Sequence, residues 1–381
     1  MSPPRVAIVS RRAGGLSGAA TMILEHARRL SARGWSVHVY AESLDASALE
    51  AAGARAHRLP AWPWGSALKR RLFAALAERA LRRGGYDLVH GHGDCLRQDI
   101  LSLHNCVHAA HEAVHGRPMP EQDAVGRLHA RILSEGGFRL LIANSRLMRE
   151  EVIRRFGVPP EKIEVIYPGY DPARFRPQDR EALRGEARRE LGFSGSDLVA
   201  GLITSGDFEK RGVGIFLEAL ALACRRFPLE AMVVGKESRL GPTMRHAARL
   251  GLEGRVRFLA PIPRVERYYH CLDLYVLPAL YEEFGMSLQE ALACGLPAIA
   301  GRRVGAAELL GGEAREFLLE TSRPEELSAK IARLADPELR RRLGALGPEA
   351  VRGNTWERSF AATYACYERL LAEKGLGQAS S

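Results

Sequence analysis

Two successive series of short apolar runs, separated by helix-length amphipathic segments, dominate this sequence. The first series comprises residues 6–9, 37–41, 88–90, 100–104, 140–143 and 163–167. The second comprises 198–204, 231–234, 256–259, 274–277, 297–300 and 317–319. Residues 19–33 and 68–83 read as helices in the first series, and 213–226, 243–250, 286–294 and 324–335 in the second. The apolar runs read as buried strands, and strands alternating with helices build βαβ units and parallel sheets. The expected fold class is α/β, with two doubly wound domains facing each other. At about 100–200 residues per domain, 381 residues hold both.

The stretch Tyr167-Pro168-Gly169-Tyr170-Asp171-Pro172 breaks regular structure, and the charged residues 174–189 after it show no strand pattern. This places a boundary after residue 172. Open α/β sheets bind ligands at the carboxyl ends of their strands, so the cleft between the domains is the expected site. No run approaches the ~18 apolar residues of a membrane span. Met1 to Arg5 lead straight into the first strand without a signal-peptide core, and the six cysteines contain no Cys-x-x-Cys. Both features fit a reduced, cytoplasmic chain. The net charge of +10 suggests an anionic partner (nucleotide, phospholipid surface or nucleic acid) without choosing among them.

Three stretches could carry chemistry. Ala13-Gly14-Gly15-Leu16-Ser17-Gly18 follows the first strand and opens a helix, where backbone can approach an anion or a polar sugar. It narrowly misses a dinucleotide fingerprint. With Glu42 as ribose-binding acid it would suit an NAD(P)-dependent oxidoreductase. Ser205-Gly206-Asp207-Phe208-Glu209-Lys210-Arg211-Gly212 puts two adjacent cations before a helix, where they could clamp a diphosphate. In the segment 278–297, Glu282 lies in a loop and Glu290 eight residues later inside a helix that begins near Met286. Backbone N–H groups of 286–288 would cradle a phosphate. Ser287-x-x-Glu290 also fits a capping box.

Two further patterns compete with these. His111-Glu112-Ala113-Val114-His115 matches the zinc motif His-Glu-x-x-His, with Glu135 the best candidate for a third ligand. Trp62-Pro63-Trp64 precedes a basic segment, 68–83, which suits an anionic membrane surface through Arg70 and Arg71. The alternative is a surface helix that packs Leu72, Leu76 and Ala80 on its sheet.

Residues 282–297 resemble the Glu-x7-Glu motif of retaining glycosyltransferases of family 4, which have the GT-B fold. The usual form is close to E-G-F-G-L-P-x-x-E-A-x-A-C-G-x-P. Here Glu283 replaces the first Gly and Met286-Ser287 the Leu-Pro. Gly14-Gly15, the stretch 166–175, Val304-Gly305-Ala306-Ala307-Glu308 and Thr355-Trp356-Glu357 are similar to other segments of the family, so the likeness spans nearly the whole chain. The spacing of 208–212 is similar to the subgroup that glucosylates lipopolysaccharide core.

This resemblance implies two Rossmann-like domains about a central cleft. Residues 1–172 would bind acceptor and 173–354 the nucleotide sugar, with 355–381 a helix crossing back and a tail. Lys210 and Arg211 would neutralise the donor diphosphate, without one phosphate being assigned to each. Glu290 would hold the ribose hydroxyls, and Glu282 the donor sugar hydroxyls. Gly15 would leave room for diphosphate or acceptor, and His104 would lie near the reacting centre. Ser205, Phe284, Gly285, Met286 and Ser287 complete the implied donor site. The family usually carries an Arg several residues before the Lys, where this chain has Ser205-Gly206; Arg11-Arg12 could supply another cation.

The resemblance further implies retention at the anomeric carbon, no metal and no cofactor. UDP-glucose is the expected donor and a cell-envelope glycolipid or oligosaccharide the expected acceptor, with no nucleic-acid partner. The enzyme would be cytoplasmic, docking peripherally on the membrane through 62–83. A non-catalytic nucleotide-sugar-binding protein is a third class.

Overall fold

The structure, a computed structural model, describes residues 3–15, 17–63, 66–193, 198–238 and 240–376. Leu16 of the glycine loop, Trp64 and the end of the tail lie outside the described residues. The chain divides into two compact units. One comprises Met1–Glu112, Arg117–Gly169 and Trp356–Ser381, and the other Ala113–Gly116 and Tyr170–Thr355.

The first unit holds a seven-stranded parallel sheet, in the order Arg55–Arg58, Ser36–Ala41, Arg5–Val9, Leu88–Gly91, Ile100–Leu103, Leu140–Ala143, Ile163–Val165. Strand order reverses beside Arg5–Val9, which is flanked by Ser36–Ala41 and Leu88–Gly91. The segments that follow these three strands therefore gather at the carboxyl end where a ligand finds room. The central strands are buried on both faces, as expected of parallel sheets covered by helices. Helix Gly18–Ser31 packs Ile23, Ala27 and Leu30 on one face, together with Phe360, Tyr367 and Leu370 of the last helix, Trp356–Glu373.

Helix Ser66–Gly84 covers the other face through Phe73 and Ala77, with Ala80 and Leu81 partly buried against them. The expectation of Leu72 and Leu76 as its packing residues is off by one position along the helix. Ala80 is common to both.

The second unit holds a six-stranded parallel sheet, in the order Val256–Leu259, Leu229–Val234, Leu198–Ile203, Leu274–Leu277, Ala298–Gly301, Leu318–Leu319. Its core joins Leu202, Phe216, Leu220, Val233, Val276 and Ile299. The charged stretch after residue 174 is helical over Gln178–Leu191. It docks through charge rather than apolar area. Arg184 and Arg188 lie 2.7 and 2.6 Å from the carboxylate of Asp273, which opens the strand Leu274–Leu277, and Arg180 lies 3.9 Å away.

Candidate active site

Two loops at the carboxyl end of the second sheet carry the expected cations and carboxylates. After Leu198–Ile203 the chain runs through 204–212 into helix Val213–Ala223. Phe208 is buried in the core and anchors this loop, while Ser205 is exposed. The Asp207 carboxylate accepts the Lys210 N–H at 3.2 Å and closes the turn. Lys210 is buried, its Nζ 2.7 Å from Glu283 Oε2 and 5.9 Å from the Tyr281 ring centre. Arg211 Nε lies 2.6 Å from Glu282 Oε2. The Leu280 N–H donates to Lys210 O at 2.9 Å, tying the two loops together.

The second loop is fastened from the far side. Glu282 N–H donates to Arg303 O and Gly305 N–H to Glu282 O, both at 2.9 Å. Phe284 is buried. Gly285 then takes a left-handed backbone, φ 93°, and helix Met286–Ala293 begins. Such a φ favours glycine because a Cβ would clash with the backbone. The first-turn N–H groups of a helix have no acceptor within it and present partial positive charge. No side chain caps this helix.

The capping-box expectation for Ser287 and Glu290 is thereby overturned: both face tyrosines. Ser287 Oγ accepts the Tyr275 hydroxyl and Glu290 Oε2 the Tyr269 hydroxyl, each at 2.7 Å. Burial pushes the Glu290 carboxyl up to about 7, although the Tyr269 hydroxyl and Arg174 draw it down. Glu282 is likewise raised by burial, against the pull of Arg211. Two cations, a helix N-terminus and a carboxylate one turn into the helix make a cradle for an anion attached to a polyol.

Gly15 and His104 belong to the first unit. Gly15 is left-handed, φ 87°, and a Cβ there would meet nothing within 4 Å. Its helix is capped by Ser17, which accepts the Ala20 N–H. His104 follows the strand Ile100–Leu103, its Nε2 2.6 Å from His92 Nδ1. His92 is buried and stacks on both His90 and His104. Burial, with His90 and His104 beside it, drives His92 well below the usual histidine range.

The competing site readings meet specific obstacles. Glu42 is buried, its Oε2 paired with Arg11 at 3.1 Å and Lys69 at 3.7 Å. Glu112 pairs with Arg155 at 2.6 Å, and Arg155 is shared with Glu151. Among the described residues no group of three His, Cys, Asp or Glu side chains is arranged to hold a metal ion. Arg70, expected to face a membrane, instead reaches Asp94 at 3.5 Å.

Comparisons with known proteins place the chain in a family. The family model for Glycosyltransferase Family 4 matches residues 16–174, and that for Glycosyl transferases group 1 matches 200–336. A D-inositol 3-phosphate glycosyltransferase of Streptomyces bingchenggensis is 30% identical, over 93% of this chain and 85% of its own length. Another, of Segniliparus rotundus, is 31% identical over 75% and 67%. The solved structure of WaaG, a glycosyltransferase involved in lipopolysaccharide biosynthesis, superposes with a TM-score of 0.81 at 20% identity, over 94% of this chain and 99% of that one. Anabaena HepE in complex with UDP and glucose gives 0.76 at 21% identity, over 96% and 99%.

The chain belongs to the family 4, group 1 glycosyltransferases, and its two parallel-sheet units are those of the GT-B fold.

Proposed function

We propose that this glycosyltransferase moves a hexose from a nucleoside diphosphate sugar, UDP-glucose, to a hydroxyl of a cell-envelope glycolipid or oligosaccharide. Transfer proceeds with retention at the anomeric carbon and without a metal. The observation that carries this reading is the pair of cations, Lys210 and Arg211, held by Glu283 and Glu282 beside the N-terminus of Met286–Ala293. They take the place a metal would fill, neutralising the diphosphate as it leaves. Glu290 receives the ribose hydroxyls on the oxygen that Tyr269 does not use. Glu282 contacts the sugar hydroxyls, and His104 and Gly15 serve the acceptor side. The solved structures of HepE in complex with UDP and with UDP-glucose support the choice of donor.

A thermal-shift screen of UDP, GDP, ADP, their sugars, NAD and NADP tests this. A ligand at 100 times its Kd stabilises the native state by about 2.7 kcal/mol. UDP and one UDP-sugar are expected to raise the melting temperature, and Glu290→Ala to abolish that shift. A shift confined to NAD or NADP would replace the transferase by an oxidoreductase.

The acceptor reading extends to the membrane. On helix Ser66–Gly84, Arg71, Arg79, Arg82 and Arg83 are exposed, and Trp62 and Leu68 are exposed nearby. This face docks on anionic lipid. Each basic residue at such a surface contributes about 1 kcal/mol. Arg71→Ala/Arg79→Ala/Arg83→Ala should therefore weaken partitioning onto mixed phosphatidylcholine–phosphatidylglycerol vesicles roughly 100-fold. Equal sedimentation of both proteins with the mixed vesicles, or wild-type sedimentation that is unchanged on phosphatidylcholine alone, would count against docking.

A further inference from the structure

Two histidines at the carboxyl end of the first sheet share one short hydrogen bond. His92 follows the strand Leu88–Gly91, and His104 follows its parallel neighbour Ile100–Leu103. His92 Nδ1 lies 2.6 Å from His104 Nε2, and the two ring planes are 7° apart. The His92 backbone is fixed as well, its N–H donating to Val9 O at 2.9 Å. Behind it, His90 is held between the hydroxyls of Tyr367 and Ser102, at 2.6 and 2.7 Å. The His90 ring lies 4.6 Å from that of His92 and backs it.

The direction of this bond follows from what surrounds His92. Burial, with His90, His104 and His26 beside it, keeps the ring neutral. A neutral imidazole has one N–H and one lone pair. The other nitrogen of His92, Nε2, is buried with no hydrogen-bond partner among the described residues. A small cavity nearby is lined by His26, Ser102, His104 and Asn144 but not by His92, so solvent held there does not reach that nitrogen.

Were His104 the donor, the His92 proton would sit on Nε2, as a buried N–H without an acceptor. With His92 as donor, Nε2 keeps only a lone pair. The orphaned N–H is the rarer and costlier of the two. The proton of the bond therefore belongs to His92 Nδ1, and His104 Nε2 accepts it.

We infer that His92 is a positioning residue that fixes His104 in the tautomer protonated on Nδ1. The one lone pair of His104 is then filled by His92. A proton arriving at His104 would turn the bond around and drive the His92 proton onto its orphaned Nε2. His104 thus enters the reaction as a neutral imidazole and not as its general base. That His104 takes part in the reaction rests on the proposed function; the tautomer stands on the first unit alone.

The test labels the histidines of the full chain with ¹⁵N and reads long-range ¹H–¹⁵N correlations, which distinguish a protonated ring nitrogen from a bare one. His92→Asn and His104→Gln assign the two rings. In the wild type both should carry the proton on Nδ1. His92→Asn keeps an N–H donor and should keep His104 in that form. His92→Asp can only accept, and should move the His104 proton to Nε2. If the buried carboxylate prevents folding, His92→Leu takes its place and should leave His104 a mixture of both forms. A wild-type His104 protonated on Nε2, or a His104 tautomer indifferent to residue 92, would overturn the inference. UDP release from UDP-glucose, with water as acceptor, is the kinetic counterpart. With His92→Asp or His92→Leu, kcat should fall about tenfold below that of His92→Asn at an unchanged KM. Equal kcat values would remove the positioning role. The tautomer is read without substrate, so a wild type that binds no UDP-glucose would remove the proposed function and leave the His92–His104 result standing.

Discussion

Asp273→Asn is expected to destabilise the second unit by about 3–5 kcal/mol, the usual cost of breaking a buried ion pair from one side. Asp273 is buried and receives Arg184 at 2.7 Å, Arg188 at 2.6 Å and the Val199 N–H at 2.8 Å. Removing its charge leaves the guanidiniums of one helix packed against a neutral amide and against one another. All four tryptophans, at 35, 62, 64 and 356, belong to the first unit, so fluorescence would miss the effect. Hydrogen exchange of the amides of 201–203 in the central strand reports it instead, with an expected rise of roughly 10²–10⁴-fold. Adding Arg184→Leu to Asp273→Asn should recover part of the loss, a non-additivity that an independent pair of sites would not show. Exchange unchanged within threefold would mean that the helix is held by other contacts.

The same helix shows where sequence reasoning stops. Strands 140–143 and 274–277 have the limits their apolar runs imply, because a buried parallel strand has to be apolar on both faces. Gln178–Leu191 has little such signal. Its arginines read as solvated charge, and only the fold reveals the carboxylate 85 residues away that holds them. The edge strand Arg55–Arg58 was equally hidden. It reads Arg-Ala-His-Arg and is held by backbone pairing and by His57 stacked on His38 and Tyr40.

In the site, the loop cations, the glutamates and the start of Met286–Ala293 were legible as motifs with known spacing. Their couplings were not. Glu283, which replaces a glycine of the family pattern, is the partner of Lys210. Ser287 and Glu290 satisfy a local capping pattern yet bond to Tyr275 and Tyr269, from the strand Leu274–Leu277 and the helix Glu266–Cys271. Within His-Glu-x-x-His, the structure pairs Glu112 with Arg155 on another helix, a contact that the local pattern does not show.

Glu290→Gln should separate stability from donor binding. In the folded chain burial raises Glu290 to about 7, against an ordinary value of 4.5. Between these limits the folded state keeps a proton that the unfolded state has released, so stability falls as pH rises through this window and levels off above it. The total is about 3 kcal/mol at 1.36 kcal/mol per pH unit. Gln carries no charge to bury. The variant should match the wild type near pH 4.5 and exceed it by about 3 kcal/mol at pH 8, read from urea unfolding at both pH values. UDP affinity should move the other way. A ribose diol donates to a carboxylate, so in the wild type the nucleotide binds the deprotonated form and its affinity rises about tenfold from pH 6 to pH 8. In Glu290→Gln the affinity should be at least tenfold lower at pH 8, with that rise gone. Calorimetry in two buffers of different ionisation enthalpy would detect the proton that UDP releases from Glu290 near neutral pH. A variant that gains stability yet binds UDP normally would leave Glu290 a buried acid without a ligand, and the ribose contact would have to be sought elsewhere on the carboxyl edge of the second sheet.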